Sequence, residues 1–373
     1  MKVLVAGDYC PQYRVAEIFD KGDYPAVLGD INQYTSRADY SIVNFECPVT
    51  KGGETPILKH GPSLCCSKKG VDALKWAGFN CVTLANNHFL DYGEVGVNNT
   101  VQACDDLSID LVGGGVNLQK ASDVLYKHLG DKILAIINCC EHEFSIATNH
   151  TGGSNPLNPI QQYYAISEAS KKADYVLVIV HGGHEMFQLP SPRMQETYRF
   201  FIDVGADAVV NHHQHCFSGY EVYKGKPVFY GLGNFCFDEK GSTGGLWNEG
   251  YFVIITFDDV IRFTIHPYNQ CDKAPKVVML SPSAYEERIK GLNAIINDSE
   301  KLASAVKAYY DSCLKQNSYI FEPFMNRVYT SLRYRGIMPS LVSQKRKVLA
   351  ADFIGCESHR DKVLSYLNSY NKK

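Results

Sequence analysis

Six short β-branched runs recur through the first 210 residues, at 2–7, 41–46, 81–86, 133–140, 175–182 and 207–213. Each is too short for a buried helix and apolar at successive positions, the mark of strands covered on both faces in a mostly parallel or mixed sheet. Residues 67–77 and 94–107, lying between these runs, have helical spacing. In the second of them Val97, Val101, Cys104 and Leu107 share one face. A further helix is expected from Pro192 to Val204, where Met194, Tyr198 and Phe201 recur. Strands alternating with helices predict an α/β fold built in layers.

The pattern then changes. Segments 219–234 and 251–268 each place a polar pair, Lys224/Gly225 or Asp258/Asp259, between two strand-like runs, which predicts hairpins that close the sheet. From residue 281 the spacing is helical, with apolar stripes at Tyr285, Ile289, Leu292 and Ile296, then at Leu302, Val306, Tyr309 and Cys313. The expected organisation is a domain over residues 1–280 and a C-terminal helical appendage over 281–373. Charge divides there as well. Residues 280–373 hold 15 Lys/Arg against 9 Asp/Glu, leaving 22 against 31 in residues 1–279. Basic helices docking on an acidic core explain this; contact of segment 333–347 with an anionic polymer is the sharper alternative.

With 45% hydrophobic and 21% charged residues in 373, the chain can bury a large core, which excludes a disordered protein. A net charge of −3 supplies no general field for nucleic acid, and none is expected as a partner. The apolar run before Asp8 is too short for a signal-peptide core, and no later run approaches the roughly 20 residues of a membrane helix. No integral membrane segment is expected, and the location reads as cytoplasmic, with peripheral envelope association as the alternative. The 13 cysteines form no CxxC pair, so neither a disulfide framework nor a thiolate zinc site is predicted.

Five polar clusters stand at the C-terminal ends of the strand-like runs: Gly7-Asp8, Asn44-Phe45-Glu46, Asn86-Asn87-His88, His181 to Glu185, and Asn211 to His215. Ligands of open α/β sheets bind at that edge, so the clusters are expected to converge. Imidazole, carboxylate and amide oxygen together suit ions of the Mn, Zn or Fe type. Asp8, Asn86-Asn87 or Glu46 alone would read as turn or loop chemistry. Three histidines within four positions are harder to explain by packing.

The segments GDYCPQYR, ADYSIVNFECPVT, GFNCVTLANNHFLDYGEVGVNNT, VIVHGGHE and NHHQHCFSGYEVYKGKPVFYGLGNFCFD, in this order, resemble the capsule-synthesis proteins of the CapA, poly-γ-glutamate type. That family is related to the calcineurin-like metallophosphoesterases. The resemblance covers about residues 1–268 and implies a metallophosphoesterase-like layered α/β fold with one or two divalent metal ions. By this likeness Asp8 binds the first ion with His215, Glu46 bridges, and Asn87, His181 and His213 hold the second. His88 protonates the leaving group, and Asp91 either orients it or caps the following helix. Arg14, Asn44, Asn86, His184, Glu185, His212 and Asn234 are the surrounding or substrate-facing candidates.

Three departures stand out. The usual Asp-x-His becomes Asp8-Tyr9-Cys10, so the first ion loses an imidazole, and Cys10 reads as a buried inert thiol. Gly182 replaces a common Trp and is expected to open the pocket, and Asn211 replaces Gly and adds an amide near the ligands. Two ions about 3.5 to 4 Å apart would acidify a shared water, which makes hydrolysis of a phosphoester or a γ-glutamyl amide the implied reaction. The expected substrate is an anionic small molecule or polymer, with capsule-synthesis proteins as partners. The alternatives are a non-catalytic polymer- or partner-binding component with a relic metal site, and a single-ion site beside redox-sensitive Cys10, Cys47 and Cys216.

Overall fold

The computed structural model describes residues 1–313, 327–338 and 343–369. Alternation along the strands sets its layers. In β1 (Lys2–Cys10), Val3 and Val5 enter one apolar cluster and Leu4 and Ala6 another, all four fully buried. In β7 (Lys132–Cys140), Leu134 and Ile136 join the cluster of Val3 and Val5, while Ala135 and Ile137 enter a third. Two sheets therefore face one another across a shared core, and each carries helices on its outer face.

The first sheet runs β16 (Val277–Met279), β15 (Arg262–Gln270), β14 (Glu249–Thr256), β1, β2 (Tyr40–Phe45), β3 (Cys81–Thr83) and β4 (Asp110–Val112), with β13 (Asn234–Phe237) also paired to β1. Strands β1 to β4 are mutually parallel, and β14 joins β1 antiparallel. The second sheet runs β11 (Tyr220–Tyr223), β12 (Lys226–Phe229), β10 (Ala208–His212), β9 (Tyr175–His181), β7 and β6 (Leu125–Leu129), parallel from β7 to β12. A two-stranded pair, β5 (Gly114–Gly115) with β8 (Gly153–Ser154), completes the set.

Helices Tyr13–Asp20, Lys69–Trp76 and Gly93–Asp106 cover the first sheet, and Pro159–Lys172 and Pro192–Val204 the second. The last of these has the ends its sequence calls for. Ser191 Oγ accepts from the Met194 N–H at 3.2 Å, Pro192 opens the first turn, and Gly205 ends it at φ 133°.

Both expected hairpins form, but in different sheets. Lys224 and Gly225, at φ 51° and 79°, make the tight turn between β11 and β12. Asp258 and Asp259 lie in a longer loop, since β14 and β15 pair only as far as Thr256 and Arg262. Gly7 is required where β13 meets β1: a Cβ there would stand 1.8 Å from the Gly233 carbonyl oxygen, which accepts from the Asp8 N–H at 3.1 Å.

Residues 286–296, 299–312, 327–334, 344–355 and 357–369 are helical. Ile289, Ile296, Leu302 and Val306 of the expected stripes are buried, the last three in the cluster that covers the second sheet. Their docking is not a simple match of basic tail to acidic core. Arg288 pairs with Glu249 at 2.8 Å, but Arg193 of the core pairs with Asp361, and His142 with Glu357, in the opposite sense. Part of the basic segment 333–347, residues 339–342, lies outside the described residues. Among the described residues no helix is long and apolar enough to cross a membrane.

Candidate metal centre

Strand register carries the clusters to one place. Asp8 pairs with Asn44 across β1 and β2, and His181 with His212 across β9 and β10. The C-terminal ends of central strands in both sheets thus meet, and the loops beyond them bring Glu46, Asn87, His213 and His215 alongside. Asp8, Glu46, His181, His213 and His215 are all at most 4% exposed, Asn87 5%.

Two donor triads lie among them, Glu46/His181/His213 and Asp8/Glu46/His215, each with its ligand atoms within 4.8 Å of one another. Glu46 belongs to both. His181 Nε2 stands 3.0 Å from His213 Nδ1, 3.0 Å from Asn87 Oδ1 and 3.5 Å from Glu46 Oε1. On the other side, His215 Nε2 is 3.6 Å from Glu46 Oε1 and its Nδ1 3.6 Å from Asp8 Oδ2. Donors on one tetrahedral ion, with bonds of about 2.1 Å, stand roughly 3.4 Å apart. The spacing around His181 is compatible with a coordination shell; on the other side Nε2 is the His215 nitrogen left to ligate, since Asn234 meets Nδ1.

The electrostatics agree. Among the described residues neither carboxylate oxygen of Glu46 has a hydrogen-bond partner, although the residue is fully buried. Burial and then the charge of Asp8 push its pKa far up, the signature of an anion that lacks a compensating cation. Burial and the neighbouring imidazoles hold His181 far below its usual range, and burial brings His213 down to about 4. Both rings are then neutral at pH 7, as ligation requires. Burial opposes ionisation of Asp8, but His212 and His215 outweigh it and its pKa falls. His213 and His215 sit at φ 90° and 53°, left-handed values that cost about 1–3 kcal/mol each and aim both rings inward. The residues fit a divalent ion.

Asn44 ties the two sheets' donors together: its Nδ2 donates to Asp8 Oδ1 at 2.7 Å and lies 3.2 Å from His181 Nδ1, while Thr83 Oγ1 donates to its Oδ1. Asn234 Oδ1 is 2.9 Å from His215 Nδ1. Asn86 shapes the loop, accepting from the His88 N–H and donating to the Phe45 carbonyl. Asp91 does not cap the helix that starts at Gly93. Its Oδ2 lies 2.7 Å from His88 Nδ1 and accepts from the Leu64 N–H at 2.7 Å, and Lys59 Nζ donates to its Oδ1. His212 is buried beside Asp8, Nδ1 3.4 Å from Oδ1, and among the described residues neither ring nitrogen has a well-formed hydrogen bond.

Other candidates fall elsewhere. Arg14 is not at the centre: its guanidinium is bonded to Asp238 at 2.6 Å and to the carbonyls of residues 271–273. His184 packs on Tyr309 and Tyr310, with Nε2 3.0 Å from the Tyr310 hydroxyl. Glu185 is exposed and lines the adjoining cavity. Gly182 does not open the pocket, because the Glu141 side chain fills the space at 2.7 Å from where a Cβ would be. The Asn211 amide is used structurally, on the Gly182 and Tyr230 carbonyls and the Tyr198 hydroxyl. Burial pushes the Cys10 thiol up to about 12, so on its own it stands as a neutral, packed thiol.

A cavity of about 220 Å³ adjoins the centre at Asn87 and His88. Sequence reasoning missed several of its residues: Lys59, Glu143, Asp352, His359 and Lys362. Glu143 follows β7 by three residues, past a strand end that carries Cys139-Cys140 rather than a His or Asn cluster. Asp352 and His359 belong to helices with no motif at all.

A model of the bacterial capsule synthesis protein family PGA_cap matches residues 2–239. The capsule biosynthesis protein CapA of Bacillus anthracis is 34% identical over 247 residues, covering 64% of this chain and 60% of that protein. The PGA biosynthesis protein CapA of Bacillus subtilis (strain 168) is 35% identical over 236 residues, 62% of each. The chain thus spans about 60% of the length of these curated relatives. Similar solved structures include a phosphatase of Mycoplasma pneumoniae, 18% identical at a TM-score of 0.47, covering 73% of this chain and 95% of that one.

Proposed function

The chain belongs to the bacterial capsule synthesis family PGA_cap, and from that premise we propose that it is a metal-dependent hydrolase of capsule-polymer synthesis, acting on a γ-glutamyl amide. The observation that carries this reading is Glu46, a buried carboxylate with no hydrogen-bond partner among the described residues and shared by two donor triads. Asp8, Glu46 and His215 would hold one divalent ion, and Glu46, Asn87, His181 and His213 a second. Ions held there supply Lewis acidity and activate water for hydrolysis.

The chain's own residues supply the rest. Asn44 fixes Asp8 and His181 in one geometry, and Asn234 fixes His215. Asp91 Oδ2, 2.7 Å from His88 Nδ1, would accept that nitrogen's proton, which leaves Nε2 as the acceptor toward the cavity that His88 lines. Burial lowers the His88 pKa and keeps the ring neutral, so Nε2 would first take a proton released by the attacking water and then pass it to the amide nitrogen, which must be protonated to depart. Phosphoester cleavage fits the same donor set. Cys10, where an imidazole ligand would stand, favours the other reading, a non-catalytic component of polymer synthesis with a depleted first site.

One assay separates these readings. Purified chain with measured metal content is tested on a panel of γ-glutamyl peptides and phosphoesters, together with His88→Ala. The expected result is amide turnover that falls about 10²- to 10⁴-fold in the variant with metal content unchanged. Turnover of phosphoesters alone would replace the amide assignment, and metal without any turnover would favour the binding component.

A further inference from the structure

The cavity beside the metal centre is closed by a part of the chain that the family match, ending at residue 239, does not reach. Helices Gln344–Gly355 and Glu357–Ser369 bring Asp352, Phe353, His359 and Lys362 to its wall, opposite Asn87 and His88. These helices are fastened to the strand end next to the centre. Arg193 donates to Glu141 Oε1 at 2.8 Å, to Asp361 Oδ2 at 2.8 Å and to Ser358 Oγ at 3.1 Å. Glu141 Oε2 accepts from the Ser358 N–H at 3.2 Å, and the His142 N–H donates to Glu357 at 2.9 Å. Glu141 in turn is bonded through its N–H to the carbonyl of His181. The wall is held in fixed relation to the donor cluster.

Its charges are of both signs. Asp352 is 5% exposed, and among the described residues its two carboxylate oxygens have no hydrogen-bond partner and its ionic neighbour is His359 Nδ1 at 3.0 Å. Glu143 and Glu185 add two further carboxylates, Lys362 an ammonium, and Lys59 another that is shared with Asp91. An all-anionic ligand would meet these carboxylates, and an all-cationic one would meet Lys362. Pockets for small ligands usually span about 300–1,000 Å³, so the 220 Å³ here is room for a terminal unit rather than several units of a chain.

We propose that these two helices form the selective wall of the substrate site, and that the cavity takes a peptide-like end carrying both a free ammonium and a carboxylate, the ammonium toward Asp352 and Glu185 and the carboxylate toward Lys362. This rests on the hydrolase reading for what happens to the ligand, but binding can be measured without turnover. The test is calorimetric titration of the full chain with γ-glutamylglutamate, its N-acetyl derivative and inorganic phosphate, with turnover followed separately by NMR. The dipeptide is expected to bind and N-acetylation to weaken it about tenfold or more, the loss of one charge-assisted contact. Asp352→Asn should weaken the dipeptide alike without further harm to the acetylated form. Lys362→Glu should also weaken it about tenfold, with Lys362→Arg restoring it. Equal binding of free and acetylated dipeptide, wild-type affinity in both Asp352→Asn and Lys362→Glu, tighter binding of phosphate, or no binding of the dipeptide would each overturn the proposal. Charge-dependent binding without turnover would leave it standing and remove the hydrolase, and turnover without charge dependence would do the reverse.

Discussion

His215 can present Nε2 to Glu46 only while its other nitrogen is held, and Asn234 holds it at 2.9 Å. Such outer partners commonly contribute 10- to 100-fold in metal affinity. Asn234→Ala is therefore expected to weaken divalent-ion binding by about that factor, read by competition with a chromogenic chelator, with the fold intact by circular dichroism. Unchanged affinity would show that Asn234 serves only the turn. The residues now found together were legible in the sequence because each ended an apolar run, where a polar side chain has no packing reason to be. What was not legible was partnership across the fold. Arg14 looked free to take an anion because Asp238, which occupies it, lies 224 positions away. Asp91 could have been a helix cap until Lys59 and Leu64 were seen to meet it.

The last helix, Glu357–Ser369, docks through a pair that titrates near neutrality. His142 Nδ1 lies 2.7 Å from Glu357 Oε1, and this contact, against an opposing effect of burial, raises the His142 pKa above its ordinary 6.5. A histidine whose folded pKa is raised contributes stability that is fully present below pH 6.5 and is lost as pH climbs through the higher folded value. Hydrogen exchange of residues 357–367 should thus speed up as pH passes upward through that window, after correction for the intrinsic pH dependence. The extra speeding should vanish in Glu357→Gln; a corrected rate flat in pH would contradict the pairing. Elements with a strong period were readable: the helix Pro192–Val204 has the bounds that its spacing and its Ser191-Pro192 start predict. Short or half-buried strands were not. β4 has three residues, and β6, LYKHL, is only partly covered, so neither shows a decisive pattern.

Across the whole molecule, two sheets sandwich one core, and their strand ends share one donor cluster. Runs that are apolar on both faces cannot reveal which sheet they join, so the division into two sheets was hidden while the α/β layering was plain. Net charge gave the tail's basic excess but not its role, because the contacts that place it against the cavity are single pairs such as Arg193 with Asp361. The account as a whole depends on the six donors from Asp8 to His215 holding a cation. Elemental analysis of the purified chain, followed by titration of the stripped protein with Mn, Zn and Fe(II), tests this directly. The account predicts at least one tightly held divalent ion per chain in the wild type and loss of it in Glu46→Gln, since that carboxylate is common to both triads. A folded wild-type chain that retains no metal and takes up none of the three would contradict it.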